Sequence, residues 1–195
     1  MNTQDVETKT KWILDTGHCQ VNFKVKYMNL TFLSGRFNEF DACIYTIGND
    51  LLTAEIDFWI NSASIDTGNE NRDKHLKGPD FLDAEKFKEI NFTSNTITYG
   101  NVGIMYELYG NLTLKGISKK IKLEVEFDGI LKDSWGNTKA FLRIKTKINR
   151  NNWEINWNVT RDSGSGIVSK EVWLESEMVL VKYYGAIPYY KNSGL

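Results

Sequence analysis

A chain of 195 residues is long enough for one substantial domain with its own core. It is 41% hydrophobic and 25% charged, which excludes a disordered chain, and its 13% aromatic content with only two prolines suits long, regular strands. Lys and Arg number 24 against 25 Asp and Glu, so no basic excess marks a nucleic-acid binder.

No apolar run approaches the roughly 20 residues needed to span a bilayer as a helix. Met1 to Lys11 is polar and lacks the apolar stretch of a signal peptide, so the chain as written reads as cytoplasmic, or as periplasmic if a leader had been removed. Cys19 and Cys43 stand alone in strand-like segments and are expected to be free thiols.

The dominant pattern along the chain is alternation. From Cys19 to Tyr27 the odd positions read Cys, Val, Phe, Val, Tyr, and the residues between them are Gln, Asn, Lys and Lys, a strand with one apolar face. A weaker strand fits Phe37 to Ile47. Leu52, Ala54, Ile56, Phe58 and Ile60 then share a face, opposite Glu55, Asp57 and Asn61.

Thr67-Gly68-Asn69-Glu70 interrupts the pattern and fits a capping box of Thr67 with Glu70. A short helix is predicted to about Lys77, stopped by Gly78-Pro79, with Arg72 and His75 on one face and Asp73 able to pair with Lys77. Phe81, Leu82 and Phe87 anchor the next stretch, and the insertion is placed to cover one end of the fold.

Further strands follow at Ile90 to Ile97, Leu108 to Leu114, Ile121 to Phe127, Ala140 to Ile148 and Val172 to Leu180. Gly48-Asn49-Asp50, Gly100-Asn101, Lys115-Gly116 and Trp135-Gly136-Asn137 punctuate them as hairpin turns. Gly164-Ser165-Gly166 reads as a flexible turn, not a phosphate loop. About eight strands, each apolar on one face, can stack as a sandwich or close as a barrel. Periodicity alone leaves both open. It also leaves open whether the interior is solid or holds a ligand, although the medium-sized inward residues and Gly110 favour space.

Candidate chemistry is sparse. There are two histidines, and His18 and Cys19 are adjacent on a strand, so they point to opposite faces and do not make a metal site. Asp73 and His75 near Ser62 and Ser64 lack a nucleophile elbow. No catalytic and no metal-ligating residue is assigned. The Lys115, Lys119, Lys120 and Lys122 group reads as a solvated face.

Several blocks, in order, carry a family resemblance. They are Trp12-Ile13-Leu14-Asp15 with His18, Ser34-Gly35-Arg36-Phe37, Ser64-Ile65-Asp66-Thr67-Gly68-Asn69, Arg72-Asp73, His75-Leu76-Lys77 and Asp80-Phe81-Leu82-Asp83. Further along come Ile90-Asn91-Phe92-Thr93-Ser94, Gly110 to Gly116, Trp135-Gly136, Ile148-Asn149-Arg150, Trp157-Asn158 and Glu171-Val172. Over Lys11 to Val181 the chain resembles the YceI-like family, the polyisoprenoid-binding, lipocalin-like bacterial proteins; Tyr27 stands where members often carry histidine.

The resemblance implies an all-β fold, an extended eight-stranded antiparallel lipocalin-like barrel with a short helical insertion near one end. It divides the chain into an N-terminal arm (1–11), a barrel domain (12–182) and a C-terminal tail (183–195). It implies non-enzymatic binding, transport or sequestration of a long-chain isoprenoid or similar amphiphile, such as an isoprenoid quinone or polyprenyl chain, with no cofactor. The expected lining is Phe23, Val25, Ile56, Phe58, Leu112, Leu114, Leu123, Val125, Leu142, Ile144 and Leu174. Arg72, Asp73 and His75 are expected to be structural and to help close one end. The rival readings are a ligand-free packed barrel serving as a stress-response or interaction module, and a hydrolase or isomerase acting on a bound lipid. The expected partner is a long apolar small molecule rather than nucleic acid, with no membrane-spanning segment; a homodimer is compatible with the sequence.

Overall fold

The computed structural model describes residues 9–101, 105–158 and 167–184. In chain order the strands are β1 (Lys9–Leu14), β2 (Gln20–Tyr27), β3 (Thr31–Phe37), β4 (Phe40–Ile47), β5 (Asp50–Asn61) and β6 (Ile65–Asp66). The helix α1 (Glu70–Lys77) follows, then β7 (Glu89–Tyr99), β8 (Met105–Leu114), β9 (Ile117–Lys132), β10 (Thr138–Asn149) and β11 (Val168–Tyr183).

These segments form eight staves. β1 pairs with the end of β11 (Leu180–Tyr183) and β2 with its earlier part, so β1 and β2 are one stave broken by the 3-10 turn Thr16–His18. β4 pairs with β1, and β3 with β2, so β3 and β4 are a second stave that bends at Asn38-Glu39. β5 and β6 make a third, broken by the 3-10 turn Ser62–Ser64. β7 to β11 supply the other five, each antiparallel to the next, and the β1–β11 pairing closes the ring. Closure gives every stave two neighbours, which long strands need if they are not to expose their edges. β1 takes in residues 9–11 of the expected arm, and β11 takes in Tyr183 of the expected tail.

The alternation read from the sequence is the inside–outside alternation of this wall. Outward charges pair across neighbouring staves, as in Lys24–Glu175 (2.6 Å), Lys122–Glu107 (3.0 Å) and Arg143 with Glu126 (3.0 Å) and Asp128 (2.8 Å). Each exposed pair is worth only about 0.2–1 kcal/mol, so the fold rests on its apolar face. The β8–β9 hairpin turns on Lys115 and Gly116, both at positive φ (50° and 72°), between the paired residues Leu114 and Ile117, a two-residue turn of matching twist.

Several expectations are corrected. The N-cap of α1 is Asn69, whose side chain accepts from the Arg72 amide; Thr67 and Glu70 do not form the capping box. Asp73 binds Thr67 through the Thr67 amide (3.0 Å) and hydroxyl (2.5 Å), and Lys77 is not its partner. Thr67 is drawn off the helix end because Asp73 and Arg72 both hold it. Leu52 does not share the inner face: the β4–β5 ladder slips between Tyr45 and Ile47, and Leu51 turns inward instead. Gly110 does not open space, because the Phe92 ring and the Thr93 carbonyl occupy the place of its missing side chain. The Gly164-Ser165-Gly166 turn lies outside the described residues, as does the tail from residue 185 onward.

Candidate functional site: an apolar cavity inside the barrel

The inner face encloses a cavity of about 710 Å³. That lies within the ~300–1,000 Å³ of small-molecule sites. Its walls are built by consecutive inward positions. β2 contributes Phe23 and Val25, β5 Ile56 and Phe58, β8 Leu112 and Leu114, and β9 Leu123 and Val125. β10 adds Leu142 and Ile144, and β11 adds Leu174, so every residue expected on the lining from the sequence faces this one space.

Other lining residues were not foreseen. Tyr106 continues the Leu108–Leu112 parity of β8 and could have been found by extending that alternation two residues. Ile97 could not: β7 carries an extra residue at Asn95, where its register with β8 jumps from Ser94↔Gly110 to Thr96↔Tyr109, and the inward parity flips from even to odd. Burial, then the neighbouring Tyr99 and Asp50, push the Tyr106 phenol above its ordinary value.

One end of the cavity is plugged. Trp12 is buried to 1% exposure and packs with Ala42, Ile44, Ala140 and Leu180. Its indole nitrogen donates to Thr46 Oγ1 (2.9 Å), and that hydroxyl donates to the Gly48 carbonyl (2.7 Å), so the ring's polar atom is satisfied. The small residues Ala42 and Ala140 leave room for the indole.

The other end is roofed by α1 and the segments 78–84 and 150–157. Arg72 donates to Thr67 Oγ1 (2.7 Å) and to the Thr67 carbonyl (2.8 Å), while Asp73 grips the same residue from the other side. His75 sits 3.2 Å from Asp80 and lies edge-on to the rings of Phe81 and Trp157, with centroids 5.0 and 4.9 Å away. Arg150 is buried and donates to the carbonyls of Ser169 (3.0 Å) and Ile155 (2.6 Å), tying the roof to β11; burial pushes its guanidinium down from its ordinary value. Trp153 donates to the Leu112 carbonyl (3.2 Å) and Leu82 is buried beneath the same roof. Arg72, Asp73 and His75 thus hold this end together by bonds to the protein.

The dispersed polar candidates stay apart. The Ser64 hydroxyl donates to the Asn61 carbonyl (2.7 Å), while His75 bonds Asp80, so they form no relay. His18 contacts Asp15 (3.0 Å), whereas the Cys19 thiol faces the Val179 backbone. Cys19 and Cys43 are both free, and burial pushes the Cys19 thiol up. Among the described residues, no helix is long and apolar enough to cross a membrane.

A closed, up-and-down antiparallel barrel around an elongated apolar cavity defines the lipocalin-like architecture. Within that class the chain belongs to the YceI-like family, whose YceI-like domain matches residues 12–180. A UPF0312 protein of Staphylococcus aureus is 32% identical over 168 residues, covering 86% of this chain and 95% of the relative. The crystal structure of BcnA from Burkholderia cenocepacia superposes with a TM-score of 0.70 at 22% identity, over 85% of this chain and 98% of that one. The Campylobacter jejuni YCEI protein aligns with a TM-score of 0.65 at 26% identity, over 88% and 97%. A polyisoprenoid binding domain from Saccharophagus degradans gives 0.67 at 14% identity, over 88% and 98%, a likeness of fold.

Proposed function

We propose that this protein binds, and thereby carries or sequesters, a long-chain isoprenoid or similar amphiphilic lipid, with its tail in the barrel interior. The observation that carries the reading is the apolar cavity of about 710 Å³ inside the barrel. Each methylene moved there from water gains about 0.8 kcal/mol, so a chain of ~10 carbons supplies ample driving force without directed polar contacts. The Saccharophagus degradans domain of the same fold is described as polyisoprenoid binding, which agrees with this choice of ligand class.

The role is non-enzymatic in this reading and needs no metal or cofactor. An enzyme acting on the bound chain would need an acid or base placed against it. Arg72, His75 and Arg150 border the cavity at the roofed end, and each is engaged with the protein: Arg72, like Asp73, with Thr67, His75 with Asp80, and Arg150 with backbone carbonyls. The packed-barrel alternative conflicts with the size of the void.

Mass spectrometry of organic extracts from purified protein tests the proposal. A long isoprenoid or related amphiphile in near-stoichiometric amount is expected. A bare extract, together with failure of the purified protein to take up retinol, would overturn it.

A further inference from the structure

A chain inside this barrel needs a way in; among the described residues, Trp12 and its small neighbours fill the interior toward one end, and α1 with the segments tied down by Arg72 and Arg150 covers the other. One ladder of the wall is left open. β5 and β7 pair only from Asp57↔Thr93 to Asn61↔Glu89, although β5 begins at Asp50 and β7 runs on to Tyr99. The Ile56 amide, next in line, donates to the Ser94 side chain (2.8 Å) instead of a backbone carbonyl. Immediately beyond, β7 carries the extra residue Asn95 in its ladder with β8. From there to the Asp50 end the two strands share no ladder.

We infer that this slit between β5 and β7 is the mouth of the cavity, through which an isoprenoid chain slides sideways, tail first, from a lipid surface. The inference rests on the carrier reading above. Three further observations support it. The cavity reaches the slit, since Leu51 and Ala54 on β5 and Ile97 on β7 all line it. Its outer rim is aromatic: Tyr99, 69% exposed, stacks on Tyr106 with ring centroids 5.5 Å apart. The same end of the barrel presents Leu131 (64% exposed) and Trp135 (83% exposed) at the β9–β10 hairpin, with Lys11, Lys132 and Lys182 at the same end. Exposed aromatic and aliphatic side chains interspersed with lysines suit the boundary of an anionic bilayer, where each lysine adds up to ~1 kcal/mol of attraction. Asp50 and Glu55 lie along the β5 side of the rim and Glu107 opposite Thr98; Glu55 is paired with Lys9, Glu107 with Lys122, and Asp133 accepts from the amides of Trp135 and Asn137.

Retinol, a fluorescent isoprenoid alcohol, delivered from vesicles of phosphatidylcholine and phosphatidylglycerol, tests the route by stopped-flow emission. Ala54→Trp narrows the slit and also takes cavity space, so it is expected to slow release by about tenfold and uptake by more, even though retinol affinity weakens. Tyr99→Ala, at an exposed position that does not threaten folding, is expected to speed both by about threefold. Leu33→Trp, which lines the cavity at the roofed end, takes up similar space there and is expected to weaken retinol binding without slowing release. If retinol binds but neither slit variant changes the rates, or if Leu33→Trp is the one that slows them, the mouth lies elsewhere and the carrier reading stands. If retinol and extracted lipids do not bind at all, both fall.

Discussion

Ile144→Trp separates a hollow barrel from a solid one. Ile144 sits midway along β10, paired with Val125 and Ser176, and faces the cavity. In a close-packed interior the larger ring would force neighbours off their rotamers and cost about 1–3 kcal/mol or more. Here the indole has space to enter. Its additional apolar surface, roughly 50 Å², gains about 1 kcal/mol at ~25 cal/mol per Å², which approximately offsets the lost rotamer freedom. Stability is therefore expected to change by less than about 1 kcal/mol in urea unfolding. The ligand pays the cost instead: roughly six additional heavy atoms displace about four chain methylenes, or ~3 kcal/mol. Retinol affinity, read by fluorescence titration, should weaken by about 200-fold. A variant destabilised by more than ~3 kcal/mol that binds retinol as the wild type does would refute the reasoning.

Other outcomes follow from individual contacts. Gly110→Ala places a methyl group against the Phe92 ring and the Thr93 carbonyl, and should lower the unfolding free energy by about 1–3 kcal/mol; an unchanged urea midpoint would contradict the crowding. Asp73→Ala removes both bonds to Thr67 and should cost about 1–3 kcal/mol while leaving ligand selectivity in place; lost binding with an unchanged Tm would show that Asp73 meets the ligand. The Asp15 carboxyl is held below the usual range chiefly by its hydrogen bond from Lys139 (2.8 Å), then by that from His18. Its folded pKa is depressed, so its contribution is present above the unfolded value of about 3.9 and is lost as pH falls toward the folded one. Asp15→Asn should lower Tm at pH 7 and flatten the fall in Tm below about pH 4; parallel curves would exclude this linkage. The buried Cys19 thiol, raised by burial, should react with Ellman's reagent at neutral pH more slowly than the half-buried Cys43; equal rates would contradict the burial of Cys19.

How much was legible can be judged residue by residue. Phe23, Ile56, Leu123 and Leu174 could be placed on the inner face from alternation alone, because successive side chains of any strand point to opposite sides whatever its partners are. The position of α1 was also legible, since Gly78-Pro79 ends a helix locally, but its cap was not: Thr67 had the right spacing to Glu70, and only the folded contact with Arg72 and Asp73 took it away. Lys9 to Lys11 reads as part of an arm because so short a stretch does not declare itself; the pairing of β1 with both β4 and β11 makes it strand.

What belongs to the chain itself, then, is the set of apolar and charged faces, the hairpin turns and the helix. What belongs to the tertiary structure is everything that depends on strands meeting. That includes the ring closed by β1 and β11, the Trp12 packing, the slips that bring Leu51 and Ile97 inward, and the end of the β5–β7 ladder at Asp57 and Thr93. The physical reason is that face alternation is written in neighbouring covalent bonds, whereas register, bulges and empty volume are set jointly by residues far apart in the chain.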